Sequence, residues 1–558
     1  MKVENLFSPY ESITLDSYLR AYGIDNVDKY LDPPKEVLES CWLYDNMREC
    51  ANTIKYHILE KSNFYIVCDA DTDGICSSFM IYRYLKLHDK NLKVRLGLQD
   101  GKERGIETER IRNDIKEYEA NIVIIPDGGT NSALYEDDLM DLGMDICILD
   151  HHDPTDEVCK RAIVVNNMMS PKVTNKSLSG TGVTFKVCQA VDQLCNTKYS
   201  NKFIDLVGIS IVSDSMDIRT YENRWFLNYI LEDKENIRNP FFYELFDTCL
   251  KDDYTQRDIS FKIVPKLNSV IRCGTKEDLR AIYYAMMGKD IDKAIEVGTK
   301  CHNEQVKRVE DIIKHHKDQI DAQENDNIIV ISSREVPKAF NGLCAGKISD
   351  MTNKPCIMGK EIGDEILGSY RGYIPSSQLA ELPQVTMVKG HSHACGIGLR
   401  TSDLASFKDE INNMEVDTTK EVTYSFGANN VPKGVFETFD GYDWIWGKEL
   451  EAPSFYVHGL IIKKKDIEVL KGNTIKIKTS DYNIVMFGGG KFLEQIKDYD
   501  DDDSLMINFI GNPSINVWKG RKTNQFQVNS IEDIEVEKYT ETFEDLMWGT
   551  IWKIISLH

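Results

Sequence analysis

Apolar positions between residues 64 and 212 fall into short unbroken runs, separated by longer stretches with helical spacing. Runs such as Phe64–Val67 and Ile122–Ile125 contain no alternating polar positions, which is typical of strands buried on both faces. Strands of this kind, joined by helices, predict a parallel α/β sheet. Because ligands of such sheets gather beyond the carboxyl ends of the strands, we expect the functional residues there.

Four of these apolar runs, all interpreted as strands, end in acidic residues. The runs are Phe64–Val67 before Asp69, Asp71 and Asp73; Ile122–Ile125 before Asp127; Ile146–Leu149 before Asp150, His151 and His152; and Leu206–Val212 before Asp214. Carboxylates at one sheet edge repel each other unless a cation lies among them, and oxygen ligands with an imidazole suit Mg²⁺ or Mn²⁺. The pattern predicts a site for two divalent cations that activates water for attack at phosphorus.

Each motif also has a simpler interpretation when it is taken alone. An Asp at a strand-to-helix turn is often only an N-cap, and we expect Asp73 to cap the helix around Gly74. The Asp-x-Asp-x-Asp-Gly pattern could begin an EF-hand loop, but it follows a strand and lacks a Glu at the twelfth loop position. Four run ends with the same pattern favour the metal site.

The rest of the chain divides into further segments by pattern. Charged helical spacing over residues 280–325 predicts a long connecting helix or helix pair, and strands with turn signals beyond residue 440 predict a small β-barrel, an OB-fold. The predicted segments are an N-terminal helical segment (1–55), a parallel-sheet domain (56–225), a helical connector (226–325), a smaller α/β domain (326–420), the barrel (440–537) and a tail (538–558).

Composition narrows the class of protein. The 558 residues carry a net charge of -23, which argues against nonspecific coating of nucleic acid but not against a nuclease, because metal-binding carboxylates are themselves acidic. The 14 cysteines include no C-x-x-C pair, so we expect reduced thiols and a cytoplasmic protein. No apolar run is long enough to cross a bilayer and the first residues do not resemble a signal peptide, so no membrane partner is expected.

The four motifs, CDADTDG, PDGG, LDHHDP and GISIVSD, resemble those of the DHH phosphoesterase superfamily. Within it the chain is most similar to the RecJ single-strand-specific exonucleases: PKLNSVIRCG, GSYRGYIPSSQL and KGHSHACGIGL resemble their substrate-binding segments, and WGKELEAPSFYV resembles the start of their OB domain. The resemblance covers about residues 10–535. It implies a DHH domain, a helical linker, a DHH-associated domain and an OB-fold.

The resemblance also implies a role for each motif residue. Asp69, Asp71, Asp127, His151 and Asp214 would bind two divalent cations, Mn²⁺ or Mg²⁺. Asp71, Asp127, His151 and His152 would be catalytic, with His152 facing the substrate phosphate, while Asp150, which orients His151, and Asp73 would support the ligands. Arg272, Arg371, Gly390 and His391 would hold DNA phosphates. One departure is Val67, which stands where many family members have a His.

The function implied is 5′-to-3′ hydrolysis of single-stranded DNA to mononucleotides, in repair, recombination or replication, with a single-strand-binding protein or a helicase as a possible protein partner. Two alternatives stay open. One is a phosphodiesterase for oligoribonucleotides or cyclic dinucleotides, although the smaller DHH enzymes of that type generally lack an OB domain. The other is a non-catalytic DHH scaffold in a replication complex, although such scaffolds typically lose motif acids that are present here.

Two C-terminal features each allow two interpretations. Lys463–Lys465, Trp518, Lys519, Arg521 and Lys522 mix cations with an aromatic ring, as single-strand binding needs, but could equally be edge lysines and a core Trp. The apolar tail from Phe543 could pack on the body as a helix or dock a partner, and we favour packing.

Overall fold

The computed structural model describes residues 1–8, 12–99, 105–414 and 419–540. One compact unit comprises Asn26–Val416 and Trp444–Leu450, and the other contains the described residues of Met1–Asp25, Asp417–Asp443 and Glu451–His558. Among the described residues, no helix has both the length and the apolar surface that crossing a membrane requires. The tail from Phe543 lies outside the described residues.

The chain begins with a strand, β1 (Val3–Asn5), where the sequence predicts only helices. This strand pairs in parallel with Lys420–Val422. Because its partner strand lies more than 400 residues away in the sequence, the local pattern does not predict this strand. The helices that follow are α1 (Leu15–Ala21), α2 (Val27–Leu31) and α3 (Met47–Leu59).

The first sheet is parallel and five-stranded, which confirms the predicted architecture. Its elements are β2 (Asn63–Val67), α4 (Thr72–His88), β3 (Lys93–Gly97), α5 (Glu109–Glu117), β4 (Ile122–Pro126), α6 (Ala133–Met140), β5 (Asp145–Asp150) and β6 (Ile163–Asn166). The strand order is β3-β2-β4-β5-β6. The three strands that precede the acidic motifs, β2, β4 and β5, are therefore neighbours, and their carboxyl ends share one edge.

The fourth apolar run is a helix, so the prediction of a strand over Leu206–Val212 is wrong. These residues lie in α8 (Ile204–Ser213), which follows α7 (Gly180–Cys195). Residues 204–211 of α8 are all buried. A helix enclosed on every side and a strand buried on both faces give the same unbroken apolar run, so the pattern could not separate them. Asp214 directly follows the last residue of α8 and is its C-cap.

A set of helices connects the first sheet to the second. They are α9 (Tyr221–Glu232), α10 (Pro240–Cys249), α11 (Gln256–Asp258), α12 (Val264–Cys273), α13 (Lys276–Met286), α14 (Ile291–His315) and α15 (Lys317–Asp321). The 25-residue helix α14 confirms the predicted long connecting helix. A π-helical turn, Ile259–Ile263, precedes α12.

The second sheet is mixed, with the strand order β10-β11-β9-β8-β7. Its elements are β7 (Ile329–Ser332), α16 (Lys338–Thr352), β8 (Cys356–Ile362), β9 (Glu365–Arg371), α17 (Ser376–Ala380), β10 (Val385–His391), β11 (Ala394–Arg400) and α18 (Leu404–Asn413). Ala394 pairs with both Arg371 and His391, so the ends of β9 and β10 lie at the same edge.

The C-terminal part is strand-rich, as predicted. Its elements are β12 (Lys420–Val422), β13 (Tyr424–Gly427), β14 (Phe455–Lys463), β15 (Ile467–Leu470), β16 (Thr474–Lys478), β17 (Asn483–Met486), α19 (Gly490–Ile496), β18 (Ser504–Trp518), β19 (Arg521–Val528) and β20 (Ile534–Lys538). The long strand β18 pairs with β14 and β20 along its first half and with β19 along its second. It therefore joins the two halves of this sheet around a core of phenylalanines that includes Phe455 and Phe526.

Candidate metal centre

The first motif forms the loop between β2 and α4. Asp71 caps α4, because its Oδ1 accepts a hydrogen bond from the backbone N–H of Gly74 at 2.9 Å. Gly74 has no room for a side chain, since a Cβ there would lie 2.7 Å from the backbone of Asp69. The N–H and the hydroxyl of Thr72 both donate to Asn268 Oδ1, at 3.1 and 3.0 Å. Helix α12 thus holds the loop that carries the first two acids.

Asp73 does not cap α4, so that prediction is wrong. The residue lies buried inside the first turn of the helix. Its two carboxylate oxygens accept hydrogen bonds from the backbone N–H groups of Gly180 and Thr181, at 2.8 and 2.9 Å. These donors lie at the start of α7, 107 and 108 residues further along the chain. Asp73 therefore joins two helices.

The acids and His151 converge at the carboxyl edge of the first sheet, as the sequence predicts. Three groups bring their ligand atoms within 4.8 Å of one another: Asp69, Asp71 and Asp127; Asp73, His151 and Asp214; and Asp127, Asp150, His151 and His152. Because Asp127 and His151 each belong to two groups, the cluster is continuous and can bind metal. Asp73, for which the sequence predicts a supporting role, also belongs to one of these groups. The sequence signal for its place there is its position as the third acid of Asp-x-Asp-x-Asp-Gly.

Asp127 sits in a strained and crowded position. Its φ of 59° is in the left-handed region, which few non-glycine residues adopt. A Cβ on Gly180 would lie only 2.4 Å from Asp127 Oδ1, so a glycine is required beside it. The turn after β4 and the start of α7 thus aim this carboxylate into the cluster.

The His151 ring has the contacts expected of a metal ligand. Its Nε2 lies 3.2 Å from Asp127 Oδ1 and 3.3 Å from Asp214 Oδ2. This buried nitrogen makes no hydrogen bond to any described residue. Burial, and then the neighbouring His152, lower the pKa of His151, which favours the neutral ring. A neutral imidazole nitrogen without a hydrogen-bond partner, among carboxylate oxygens, fits a divalent cation.

The pKa values of the clustered carboxyl groups are raised because these groups are buried close together. Burial, and then the charge of the neighbouring acids, raise the pKa of Asp127 and of Asp214 well above the usual range. The same causes raise the pKa of Asp69 to about 7. A cation among these groups would favour their ionised forms. The residues present therefore fit hard divalent cations, which prefer oxygen ligands.

Asp150, which the sequence predicts to orient His151, contacts both neighbouring histidines. Its Oδ1 accepts from His152 Nδ1 at 2.7 Å and from the backbone N–H of His151 at 2.7 Å. Its Oδ2 accepts from the N–H of Thr130 at 3.0 Å. Burial acts to raise the pKa of Asp150, but His152 holds it well below the usual range. Burial opposes protonation of His152, but Asp150 raises its pKa to about 10.

A groove of about 930 Å³ runs from this cluster to the second sheet. Asp69, Asp71 and the exposed ring of His152 line it. Five basic residues also line it: Arg272 on α12, and Lys338, Lys360, Arg371 and Lys389 on elements of the second sheet domain. The three lysines lie on separate elements, so no sequence motif predicts them. Val67 also lines the groove and supplies no ligand atom there.

The two groove arginines lack acidic partners. Arg272 donates from Nη1 to Gln305 Oε1 at 3.1 Å, and its buried Nε has no hydrogen-bond partner among the described residues. Arg371 donates from Nη1 to the carbonyl of Tyr370 at 2.6 Å. Within the described part of the chain, neither forms an ion pair with a carboxylate. Burial lowers the pKa of both guanidinium groups. Such donors suit phosphate oxygens.

Gly390 and His391 end strand β10 on the same wall. Gly390 has a φ of 128°, a conformation that favours glycine, and a Cβ there would lie 3.1 Å from Cys395 Cα. Gly390 borders the groove, and its predicted contact with DNA phosphates stays a prediction. The backbone of His391 pairs with Ala394; its side chain lies outside the described structure.

In the C-terminal sheet, the side chain of Trp518 is 70% exposed, so the core alternative for this residue is wrong. It lies at the turn between β18 and β19, and Lys519 Nζ lies 6.0 Å from the ring centroid. Lys465 Nζ lies 2.7 Å from Asp502 Oδ1. At least one of the cations predicted to bind a nucleic acid therefore already has an acidic partner. Nucleic-acid binding at this turn stays a prediction.

Comparison with known families assigns two segments of the chain. Residues 63–211 match the DHH family, N-terminal domain, and residues 444–530 match the RecJ OB domain. The chain therefore has a DHH domain and a RecJ OB domain.

Relatives of this chain have names that agree with these two domains. The protein named "Putative SPbeta prophage-derived single-strand DNA-specific exonuclease YorK", from Bacillus subtilis (strain 168), is 28% identical over 95% of this chain and 97% of its own length. The single-stranded-DNA-specific exonuclease RecJ of the same organism is 24% identical over 86% of this chain and 63% of its own length. The crystal structure of RecJ in complex with Mn²⁺ from Thermus thermophilus matches with a TM-score of 0.73 at 16% identity, over 97% of this chain and 79% of that one. This last likeness shows the fold.

Proposed function

We propose that this chain is a divalent-cation-dependent exonuclease that hydrolyses single-stranded DNA from the 5′ end to mononucleotides. The observation that carries the proposal is one groove that brings together an Asp and His cluster and arginines without acidic partners among the described residues. That arrangement fits a phosphodiester held between metal ions and cationic side chains. The RecJ OB domain and the names of the relatives support single-stranded DNA as the substrate.

Asp69, Asp71, Asp127, His151 and Asp214 are the residues that would hold the cations, Mn²⁺ or Mg²⁺, with Asp73 in support. When bound, such ions supply Lewis acidity and lower the pKa of water. The raised pKa of His152 keeps its ring cationic at neutral pH, so it can donate to a phosphate oxygen. Arg272 and Arg371 would hold phosphates further along the strand, so that the scissile bond lies against the cluster.

The proposal includes a cytoplasmic location and a role in repair, recombination or replication. With a net charge of -23, the chain gains little long-range attraction to DNA from its overall field. A single-strand-binding protein or a helicase that recruits it would overcome this, and we include such a partner in the proposal.

The test is digestion of an oligonucleotide labelled at either end, with Mn²⁺, with Mg²⁺ and with chelator, beside a blunt duplex and an RNA strand of the same sequence. We expect metal-dependent release of mononucleotide from the 5′ label of the DNA strand, with the duplex spared. Cleavage of short RNA alone would favour the oligoribonucleotide phosphodiesterase. Strand binding without cleavage under any metal would favour the scaffold.

A further inference from the structure

A second cavity, of about 230 Å³, lies among α4, α8, α13 and the start of α10 and shares no lining residue with the groove. Apolar side chains form much of its wall, among them Phe79, Phe203, Leu206 and Met286. Three basic residues, Arg83, Lys202 and Arg238, also line it. The cavity therefore combines an apolar surface with concentrated positive charge in a chain that is acidic overall.

None of these three cations forms an ion pair with a carboxylate of the described residues. Among the described residues, Arg83 and Lys202 have no hydrogen-bond or ion-pair partner. Arg238 donates from Nη1 to the carbonyl of Asn201 at 3.2 Å and lies over the ring of Tyr229, 5.8 Å from its centroid. Three cations around one small cavity, without a carboxylate paired to any of them, favour an anionic ligand.

Asp205 adds a second, independent signal. Asp205 is among the residues that line the cavity, and its side chain is fully buried. Its Oδ2 accepts from the backbone N–H groups of Arg238 and Asn239, at 2.8 and 2.7 Å. Its Oδ1 has no hydrogen-bond partner among the described residues. Because buried acceptors are nearly always paired, this oxygen points to a donor that comes with a ligand.

We propose that this cavity binds a nucleoside monophosphate. The phosphate lies against Arg83, Lys202 and Arg238, the base lies on the apolar wall, and an N–H of the base donates to Asp205 Oδ1. Inorganic phosphate would satisfy the cations but would leave the apolar wall and Asp205 without a partner. The proposal rests on the proposed function, whose product is a mononucleotide.

The cavity is separate from the metal centre, although the same helices reach both. Asp205 lies in the first turn of α8, and Asp214 directly follows its end, which places the two about 13 Å apart along the helix axis. Helix α4 likewise is capped by Asp71 and carries Arg83 near its other end. Binding here therefore needs neither the cations nor the groove.

The experiment is equilibrium dialysis of labelled TMP against the full chain in chelator, with deoxyribose 5-phosphate and inorganic phosphate as competitors. The variants are Arg83→Gln with Lys202→Gln, Asp127→Asn at the metal centre, and Arg280→Gln, an exposed residue of α13 outside the cavity, as the matched control. Circular dichroism checks that each variant is folded.

We expect one TMP per chain in the wild type, in Asp127→Asn and in Arg280→Gln, with at least tenfold weaker binding in the double variant. Both competitors should be at least tenfold weaker than unlabelled TMP, because they lack the base. No saturable binding, equal binding by the double variant, or loss of binding in Asp127→Asn would overturn the proposal. Because no metal or DNA is present, hydrolysis without TMP binding refutes only the cavity, and binding without hydrolysis refutes only the nuclease.

Discussion

The two sides of the groove carry opposite charges, and neither side is satisfied by the described protein. On the first sheet, His151 Nε2 has no hydrogen bond and the pKa of Asp127 is raised by burial and by its acidic neighbours. Neither Arg371, on the second sheet, nor Arg272, on α12, has an acidic partner among the described residues. Buried charges that serve only stability are normally paired with each other. This charge separation supports our proposal that ligands complete both parts of the groove: cations beside the acids and phosphates beside the arginines.

The largest effect is expected from the acidic side. Asp127→Asn removes a negative ligand shared by two parts of the cluster, and hydrolysis should fall by more than about 100-fold, since even an outer partner of a metal ligand is worth 10–100-fold. Initial rates on a labelled strand measure this. The control is Asp138→Asn, on an exposed position of α6, which should leave the rate unchanged. Equal rates in both variants would remove Asp127 from the site.

A smaller effect is expected from Asp150, whose carboxylate accepts a hydrogen bond from the His152 ring. Asp150→Asn replaces an acceptor of the His152 ring N–H, so the pKa of His152 should fall from about 10 toward its ordinary value. The rate at pH 8 should fall by about 10–100-fold. The pH titration of the His152 ring by NMR separates this from a loss of fold. An unchanged His152 titration would contradict the pairing.

On the cationic side, the effect should appear in binding. Arg371→Ala removes one phosphate contact, so the affinity for a single strand should fall by about 10-fold or more, as for a hydrogen bond to a charged group. The slope of log affinity against log salt should become shallower by about 0.7. Arg400→Ala, an exposed residue of β11 paired with Asp403, is the control. A slope that stays the same in Arg371→Ala would exclude the contact.

The smallest effect is on stability. The folded-state pKa of Asp69 is about 7, above the usual value of 3.8, so the folded state binds more protons there and loses stability as pH rises from about 4 to 7. Mn²⁺ should remove this slope and raise the unfolding midpoint by several degrees, because it binds only the folded chain. Thermal unfolding with and without Mn²⁺ measures both. A thermal unfolding midpoint that rises from about pH 4 to 7 in the absence of metal would contradict the raised pKa of Asp69.

Three of the four acidic run ends can be predicted because their signals are local. An unbroken apolar strand followed by Asp or His is visible in the sequence, and adjacent strands bring such ends together. The fourth run is mistaken for a strand because α8 is buried on all sides and has no polar face to show a helical period. Its acid, Asp214, still reaches the cluster.

The wrong prediction for Asp73 comes from a long-range contact. A cap is the simplest prediction for Asp73 because it needs only the next three residues, whereas the real partners are the N–H groups at the start of α7. The sequence predicts that Asp150 orients His151; its carboxylate accepts from the His151 backbone N–H, and the turn after β5 also brings the ring of His152, two residues away, to the same oxygen. The groove lysines come from separate elements, so only the fold assembles them.

The most direct test of the central claim is the amount of Mn²⁺ bound per chain, measured by electron paramagnetic resonance of the free ion, in the wild type and in Asp127→Asn. The acidic side of the groove predicts two ions per wild-type chain, with at least one lost or strongly weakened in the variant, and strand hydrolysis that rises with the bound ions. No Mn²⁺ bound by a chain that still cleaves DNA, or equal binding by both proteins, would contradict it.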